Sequence, residues 1–351
     1  MHPDPTGGKV SGASIAGRPN LATPVDETGG GAGETRDLGL EHARALFAAV
    51  LAGESSAAEL GAASGALRSE GASLIEMQGF VRALDAHVGR LAATTDRPRP
   101  VILPTGSGTR RQPNLTALLA LLLKRYGVPV LVHGLGRGEI DTADDAIRDG
   151  ETDPPAGAAR FRRVTTLEIL LELGIAPSSS LADAQARLTQ SQIAYAPAAV
   201  LAPGLVPLLH DRTQPHARSF ARSLVKLIDP FGGDGYRVVS APHPENLPRT
   251  RAFLAATRAD ALLLRSTEGE PFANPRRQPQ LEAFAKGCRS VCAERESGGL
   301  LAAPAMPATG DAPATAAWIA QALAGEMPVP APIIAQLACC LEGARRAITM
   351  V

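Results

Sequence analysis

The stretch that decides the fold is Pro104-Thr105-Gly106-Ser107-Gly108-Thr109-Arg110-Arg111-Gln112-Pro113-Asn114-Leu115-Thr116. It follows the apolar run Val101–Leu103 and opens a long apolar segment that ends near Arg125. This order predicts a strand, a glycine-rich turn and a helix. Such a turn directs backbone N–H groups to the space above the helix N-terminus, where an anion is stabilised. We therefore predict an anion site at this turn, with Arg110 and Arg111 on its rim.

The composition limits the classes of partner that this chain can have. Its 351 residues predict two domains and a sizeable core. Lysine and arginine number 35, as do aspartate and glutamate, so the net charge is zero. No global positive field attracts nucleic acid, and any polyanion site has to come from local clusters of arginine. The sequence shows neither a membrane-length apolar run nor a signal peptide, so we expect a cytoplasmic protein.

The four cysteines fall into two pairs. Cys288 and Cys292 are four residues apart, and Cys339 and Cys340 are adjacent. A zinc site is one interpretation, although the spacing lacks the usual histidine partners. The alternative is that they are small buried residues in a reduced protein, and this is the interpretation that we prefer.

The composition and hydrophobic periodicity of the sequence divide the chain into a tail and two folded parts. Residues 1–37 are rich in Gly, Pro, Thr and Asp and predict a disordered tail. Residues 38–96 show helical periodicity and predict a small all-helical domain, completed by roughly residues 165–195. Ser73, with Glu76 three residues later, predicts a capping box at one helix start.

The remaining residues, 97–164 and 196–351, predict a larger α/β domain. Short apolar runs at Val130–Val132, Val238–Ser240 and Ala261–Leu264 alternate with helical patterns such as Arg249–Thr257. Strands that alternate with helices indicate a mostly parallel central sheet.

Three groups of residues resemble motifs of the anthranilate phosphoribosyltransferase family (glycosyltransferase family three). They are Ala66–Gly71 in the helical part, Thr105–Gly108 in the turn, and His133-Gly134. The resemblance extends over Leu38–Gly287 and implies the nucleoside phosphorylase/phosphoribosyltransferase-like fold. In that family the turn holds phosphoribosyl pyrophosphate. The resemblance therefore implies these phosphate-binding residues: Thr105, Gly106, Ser107, Gly108, Thr109, Asn114 and Thr116.

Within this family the chain is most similar to the YbiB-type proteins. The shared segments are Pro113–Thr116, Gly127–Gly134 and Thr267–Glu270. This resemblance implies a homodimer that binds DNA or RNA rather than an enzyme of tryptophan synthesis.

Several positions depart from the enzymes of the family. A lysine that faces the phosphates is replaced by Val132, and the asparagine after His-Gly is replaced by Leu135. The Asp-Glu pair that holds Mg²⁺ on the pyrophosphate is replaced by Pro271-Phe272. Glu268 and Glu270 lie nearby and are weak substitutes as metal ligands. We therefore expect that anthranilate phosphoribosyl transfer is lost and that no cofactor is needed, with Mg²⁺ required only if transfer persists.

A segment that aligns without a gap to a family motif has gained cations. Arg218, Arg222 and Lys226 are spaced at i, i+4 and i+8, which places them on one face of a predicted helix. We expect this face to point outward, where it can follow the phosphates of a nucleic acid strand. The alternative is an ordinary solvated helix face. The full predicted nucleic-acid surface is Arg110, Arg111, Arg160, Arg162, Arg163, Arg212, Arg218, Arg222 and Lys226.

The sequence thus favours a protein that binds the nucleic-acid backbone electrostatically, with little sequence specificity. One alternative is a phosphoribosyltransferase that uses phosphoribosyl pyrophosphate with an altered acceptor. Another is an inactive fold that serves as a scaffold for protein interactions.

Overall fold

The computed structural model describes residues 38–56, 58–60, 72–135, 163–211, 213–297, 306–307 and 311–345. The predicted tail, residues 1–37, lies outside the described residues. Among the described helices, none combines the length and the apolar character that a bilayer crossing needs.

A seven-stranded sheet forms the centre of the fold, with strand order β3-β2-β1-β4-β5-β6-β7. Strands β1 to β5 pair in parallel, while β6 and β7 are added in antiparallel pairing. The prediction of an α/β fold with a mostly parallel sheet is therefore confirmed. The strands are β1 Val101–Pro104, β2 Val130–Gly134, β3 Ile193–Pro197, β4 Tyr236–Ala241, β5 Ala261–Arg265, β6 Leu281–Ala285 and β7 Cys288–Ala293.

Helices connect the strands and cover both faces of the sheet. A 3₁₀ turn at Pro203–Leu205 joins two of them. The helices are α1 Leu40–Leu51, α2 Leu74–His87, α3 Thr116–Arg125, α4 Thr166–Glu172, α5 Leu181–Ser191, α6 Ala198–Leu201, α7 Val206–His210, α8 Pro215–Val225, α9 Asn246–Ala256, α10 Ala312–Ala324 and α11 Ala331–Ala344.

The two faces of the sheet belong to different core clusters because side chains alternate along a strand. On β1, Val101 and Leu103 pack with residues of α3, α4, α10 and α11. Ile102 points the other way and packs with residues of α1, α2 and α8. Both faces are covered, which is why these parallel strands are continuous apolar runs.

The N-terminal helices are tied to α8 by aromatic packing. The predicted capping box is present, since Ser73 accepts from the backbone N–H of Glu76 and the Glu76 side chain accepts from the N–H of Ser73. Phe47, Phe80 and Phe220 meet edge to face, with ring centroids 5.3–5.9 Å apart. The helical unit is therefore built from α1, α2 and a segment far along the chain.

The segment that we expected to complete this helical unit, roughly residues 165–195, is divided between layers. Leu167, Ile169 and Leu170 of α4 pack on the opposite face of the sheet. Ala184 and Leu188 of α5 do pack with the α1–α2 cluster. Strand β3, inside the same segment, was not predicted as a strand.

The β6–β7 hairpin was also missed by the sequence patterns, and it changes the interpretation of the cysteines. Cys288 and Cys292 lie exposed on β7, whereas Cys339 and Cys340 are buried on α11, and all four are free thiols. The expectation of burial is thus wrong for the first pair. In the described part of the chain, no group of three or more His, Cys, Asp or Glu side chains is placed to hold a metal ion.

Candidate functional site

The carboxyl end of β1 is the point where the strand order of the sheet reverses. Strands β2 and β3 lie on one side of β1, and β4 and β5 lie on the other. In open α/β sheets, ligands bind in the crevice outside the carboxyl ends of the strands at such a point. Two segments meet there: residues 105–113 after β1, called the glycine loop below, and residues 266–270 after β5, called the acidic segment.

The glycine loop depends on the small size of Gly108. Its φ is +90°, and an added Cβ would lie 2.5 Å from the carbonyl oxygen of Val164. The next residue, Thr109, exchanges backbone hydrogen bonds with Val164. Arg163 donates from Nη1 to the Gly108 carbonyl at 2.9 Å. The loop is thus fixed against the short segment that leads into α4.

Glu270 places its carboxylate inside the glycine loop. Its Oε1 accepts from the backbone N–H groups of Gly106 and Gly108, both at 2.9 Å. Its Oε2 accepts from the hydroxyl groups of Thr116 at 3.4 Å and Thr166 at 3.0 Å. The side chain is completely buried. The N–H groups of Gly106 and Gly108, which we predicted to face an external anion, thus already donate to a carboxylate of the chain itself.

Glu268 fills a second set of backbone donors on the same loop. Its Oε2 accepts from the N–H of Arg110 at 2.9 Å, and its Oε1 accepts from the N–H groups of Arg111 and Gln112, both at 3.0 Å. Glu268 has φ +53°, an uncommon conformation for a residue other than glycine. Successive N–H groups around one carboxylate form an anion nest.

The two glutamates do not fit a Mg²⁺ site as they are arranged. All four carboxylate oxygens accept hydrogen bonds from N–H or O–H groups of the chain. Mg²⁺ needs these oxygen lone pairs directed at the ion, with near-octahedral geometry. Their weak candidacy as metal ligands, raised from the sequence, gains no support from this geometry.

The other predicted phosphate-binding residues hold the loop together. The Thr105 hydroxyl donates to the carbonyl of His133 at 3.1 Å, and the Thr109 hydroxyl donates to the carbonyl of Gln112 at 2.6 Å. The Asn114 amide donates to the Thr166 hydroxyl at 3.1 Å. Ser107 is half-buried. Phosphate binding by these residues stays a prediction.

Cations from separate parts of the chain are brought to the same edge of the sheet. Arg110 and Arg111 belong to the glycine loop itself. Lys226, at the end of α8, donates from Nζ to the carbonyl of Gly269 at 3.0 Å. Arg222 lies one helical turn earlier on α8, and both of these α8 cations are half-buried. The tertiary structure thus places the predicted basic helix beside the predicted anion loop, which sequence spacing did not indicate.

The orientation expected for the basic helix face is wrong. Arg218 is only 5% exposed, because it lies on the buried side of α8 together with Ala217 and Ala221. The residues of α8 that face solvent are His216, Ser219 and Ser223.

Several other predicted nucleic-acid contacts are either buried or outside the described residues. Arg163 is 6% exposed and bonded to the glycine loop, so it is a structural cation in this conformation. Arg160, Arg162 and Arg212 lie outside the described residues. Arg110, Arg111, Arg222 and Lys226 remain as the half-buried or exposed members of the predicted set, and in Arg222 the Nε and Nη2 atoms are buried.

His133 is buried next to this site, at the carboxyl end of β2. Neither of its ring nitrogens has a hydrogen-bond partner among the described residues. Burial lowers the pKa of His133 from 6.5 to about 3. The imidazole is therefore neutral and acts as a core side chain at neutral pH.

This depressed pKa predicts a loss of stability in mild acid. Below pH 6.5 the unfolded chain binds a proton at His133 that the folded chain does not, so stability falls with pH until about pH 3. We expect His133 to account for about 2 kcal/mol of the loss between pH 7 and pH 5. Urea unfolding of His133→Leu should show a correspondingly shallower pH dependence. His216→Leu, at an exposed position, should keep the wild-type slope, and an unchanged slope in His133→Leu would contradict the assignment.

A comparison with curated proteins gives the family. The Uncharacterized protein YbiB of Escherichia coli strain K12 is 35% identical over 328 residues, which cover 93% of this chain and 95% of that protein. The chain belongs to the YbiB family. No family model matches the sequence.

The anthranilate phosphoribosyltransferases are more distant from this YbiB-family chain. The enzyme of Rhodopirellula baltica is 27% identical over 225 residues, 62% of this chain and 57% of the enzyme. That of Thermomicrobium roseum is 31% identical over 97 residues, 28% of each chain.

Solved structures show that the YbiB-family chain shares the fold of these enzymes. Anthranilate phosphoribosyltransferase from Thermus thermophilus superposes with a TM-score of 0.62 at 21% identity, over 88% of this chain and 85% of that one. The enzyme from Saccharomyces cerevisiae, in complex with PRPP and Mg, gives a TM-score of 0.54 at 10% identity, with the same coverage. The predicted phosphoribosyltransferase-like fold is confirmed.

Proposed function

We propose that this protein binds the phosphate backbone of nucleic acid at the carboxyl edge of its sheet, and that phosphoribosyl transfer has been lost. The observation on which the proposal rests is the occupation of the glycine loop by Glu268 and Glu270. Five backbone N–H groups of the loop already donate to these carboxylates. A pyrophosphate would have to displace two internal anions before it could use the same donors.

The cations around the loop supply the second argument. Arg110 and Arg111 stand on the loop. Lys226 reaches Gly269 of the acidic segment from the end of α8, and Arg222 lies one helical turn before Lys226. A local group of cations neutralises the phosphates of a nucleic acid strand and releases the counterions of that strand, whatever the base sequence. The zero net charge of the chain means that this local group, rather than a global field, has to provide the attraction.

A homodimer, implied by the resemblance to YbiB-type proteins, forms part of the proposal. Two-fold symmetry would double the number of cations offered to one strand. If light scattering under binding conditions gives the mass of a monomer, the homodimer is refuted. Each strand would then meet a single cationic site.

The proposal predicts nucleic-acid binding that weakens steeply with salt. Fluorescence anisotropy with a labelled single strand and a labelled random duplex should show binding at about 50 mM salt that falls by at least tenfold at about 200 mM. Reversing two charges, in Arg222→Glu with Lys226→Glu, should weaken binding at least tenfold at low salt and flatten the salt dependence, since each lost phosphate contact lowers the slope by about one.

A matched control reverses a charge at the opposite edge of the sheet. Arg345 follows α11, and the neighbouring Ala344 carbonyl accepts from the N–H of Arg99, just before the start of β1. Its contact with Glu342 is an exposed ion pair of small energetic value. Arg345→Glu should bind as the wild type does. The proposal fails if the wild type shows no binding at low salt, or if the double variant and Arg345→Glu behave alike.

One observation favours a second function, that of a phosphoribosyltransferase with an altered acceptor. The glycine loop lies at the switch point of a sheet whose fold is that of the transferases, which is where such a substrate would bind. Titration calorimetry with phosphoribosyl pyrophosphate and Mg²⁺ distinguishes the two functions. Binding that depends on Mg²⁺ would favour the transferase, and an absence of heat would eliminate it.

A further inference from the structure

We propose that Glu268 is an internal competitor for a phosphate-binding nest formed by the N–H groups of Arg110, Arg111 and Gln112. This inference rests on the proposed function, since it assigns a regulated contact for a terminal phosphate group to the same site. The ligand class is a terminal phosphate group, as in a phosphate monoester or inorganic pyrophosphate, which offers several acceptor oxygens to successive N–H donors.

The nest already has an anion in place, and its geometry shows that these donors converge on one group. Two oxygens of a single carboxylate accept from three consecutive residues at 2.9–3.0 Å. Arg110 and Arg111 each supply one N–H group of the nest and carry a cationic side chain on the same loop. A terminal phosphate group carries more negative charge and one more free oxygen than the carboxylate that it would replace.

Glu268 differs from Glu270 in the features that allow displacement. Glu270 is completely buried and bonded to two threonine hydroxyls as well as to the loop. Glu268 is half-buried, accepts from the N–H groups of the loop, and has a positive φ, which is uncommon for a residue other than glycine. The acidic segment therefore combines one fixed carboxylate with one that can leave while the fold persists.

A phosphate group can bind only to those molecules in which the Glu268 carboxylate has left the nest. The apparent affinity is therefore the intrinsic affinity multiplied by the fraction of such molecules. If that fraction is about one tenth or less, neutralising Glu268 should strengthen phosphate binding at least tenfold. The probe is inorganic pyrophosphate without metal, titrated calorimetrically into the wild type and Glu268→Gln. The matched control is Glu245→Gln, which removes an exposed charge that follows β4 at the same edge of the sheet. It should bind pyrophosphate as the wild type does.

A second arm uses one single strand with either a 5′-phosphate or a 5′-hydroxyl group. Glu268→Gln should bind the phosphorylated strand at least tenfold more tightly than the wild type does, and the hydroxyl strand with little change. Glu268→Asn is the second variant, because asparagine adopts a positive φ readily and so protects against misfolding. Thermal unfolding of both variants confirms that the fold persists.

Two outcomes would overturn the inference. One is equal pyrophosphate binding by the wild type and both Glu268 variants. The other is an equal gain in affinity from Glu245→Gln, which would mean that net charge alone causes the effect. Failure of the proposed function gives a different result. If no strand binds to any variant, nucleic-acid binding is refuted, whereas a tenfold gain for pyrophosphate in Glu268→Gln still supports the closed nest.

Discussion

Glu270→Ala is expected to destabilise the protein by about 3–5 kcal/mol, because it removes a buried charge from a site built around it. Four donors would lose their acceptor: the N–H groups of Gly106 and Gly108 and the hydroxyls of Thr116 and Thr166. Each buried donor left without a partner costs about 1–3 kcal/mol, less where water enters the space. Chemical denaturation at neutral pH measures the loss as a lower midpoint with an unchanged slope.

Two further variants separate the contribution of Glu270 from that of charge in general. Glu270→Gln keeps one acceptor oxygen in nearly the same volume, so its loss should be smaller than that of alanine. Glu245→Ala removes an exposed carboxylate at the same sheet edge and should change stability by less than about 0.5 kcal/mol. If Glu270→Ala were as stable as Glu245→Ala, the carboxylate would not be what holds the loop.

Phe80→Ala is expected to cost about 3–5 kcal/mol, the usual range when a large buried aromatic side chain is truncated. Phe80 is completely buried and meets Phe47 at 5.5 Å and Phe220 at 5.3 Å between ring centroids. Because Phe220 belongs to α8, the lost contact loosens the helix that carries Arg222 and Lys226. Equilibrium unfolding gives the free energy, and hydrogen exchange should show faster opening of α8 than of β1.

A control on the same helix tests whether burial causes this effect. Ile75 lies in the first turn of α2 and is 53% exposed. Ile75→Ala removes several apolar atoms from the same helix, yet should change stability by less than about 0.5 kcal/mol. Alanine favours the helix at either position, so a comparable loss in both variants would mean that burial in the aromatic cluster is not what determines the effect.

Local patterns account for the parts of the fold that the sequence predicted correctly. The strand, turn and helix around Gly108 follow from an apolar run, two glycines and a second apolar run within a few residues. The capping box of Ser73 and Glu76 depends on three residues of spacing. The antiparallel β6–β7 hairpin was missed because β7 is exposed and lacks the apolar run by which the buried parallel strands were found.

At the candidate site, local sequence patterns predict only part of what the structure contains. The order of strand, turn and helix determined by itself that the glycine loop offers backbone N–H donors to a negatively charged acceptor, since such a turn exposes those donors whatever surrounds them. Only the tertiary structure decided which anion it is: Glu270 reaches Gly106 across 164 residues of sequence. It also buried Arg218 and brought Lys226 to Gly269. These contacts depend on how the strands are ordered in the sheet, and helical spacing within one segment holds no information about that order.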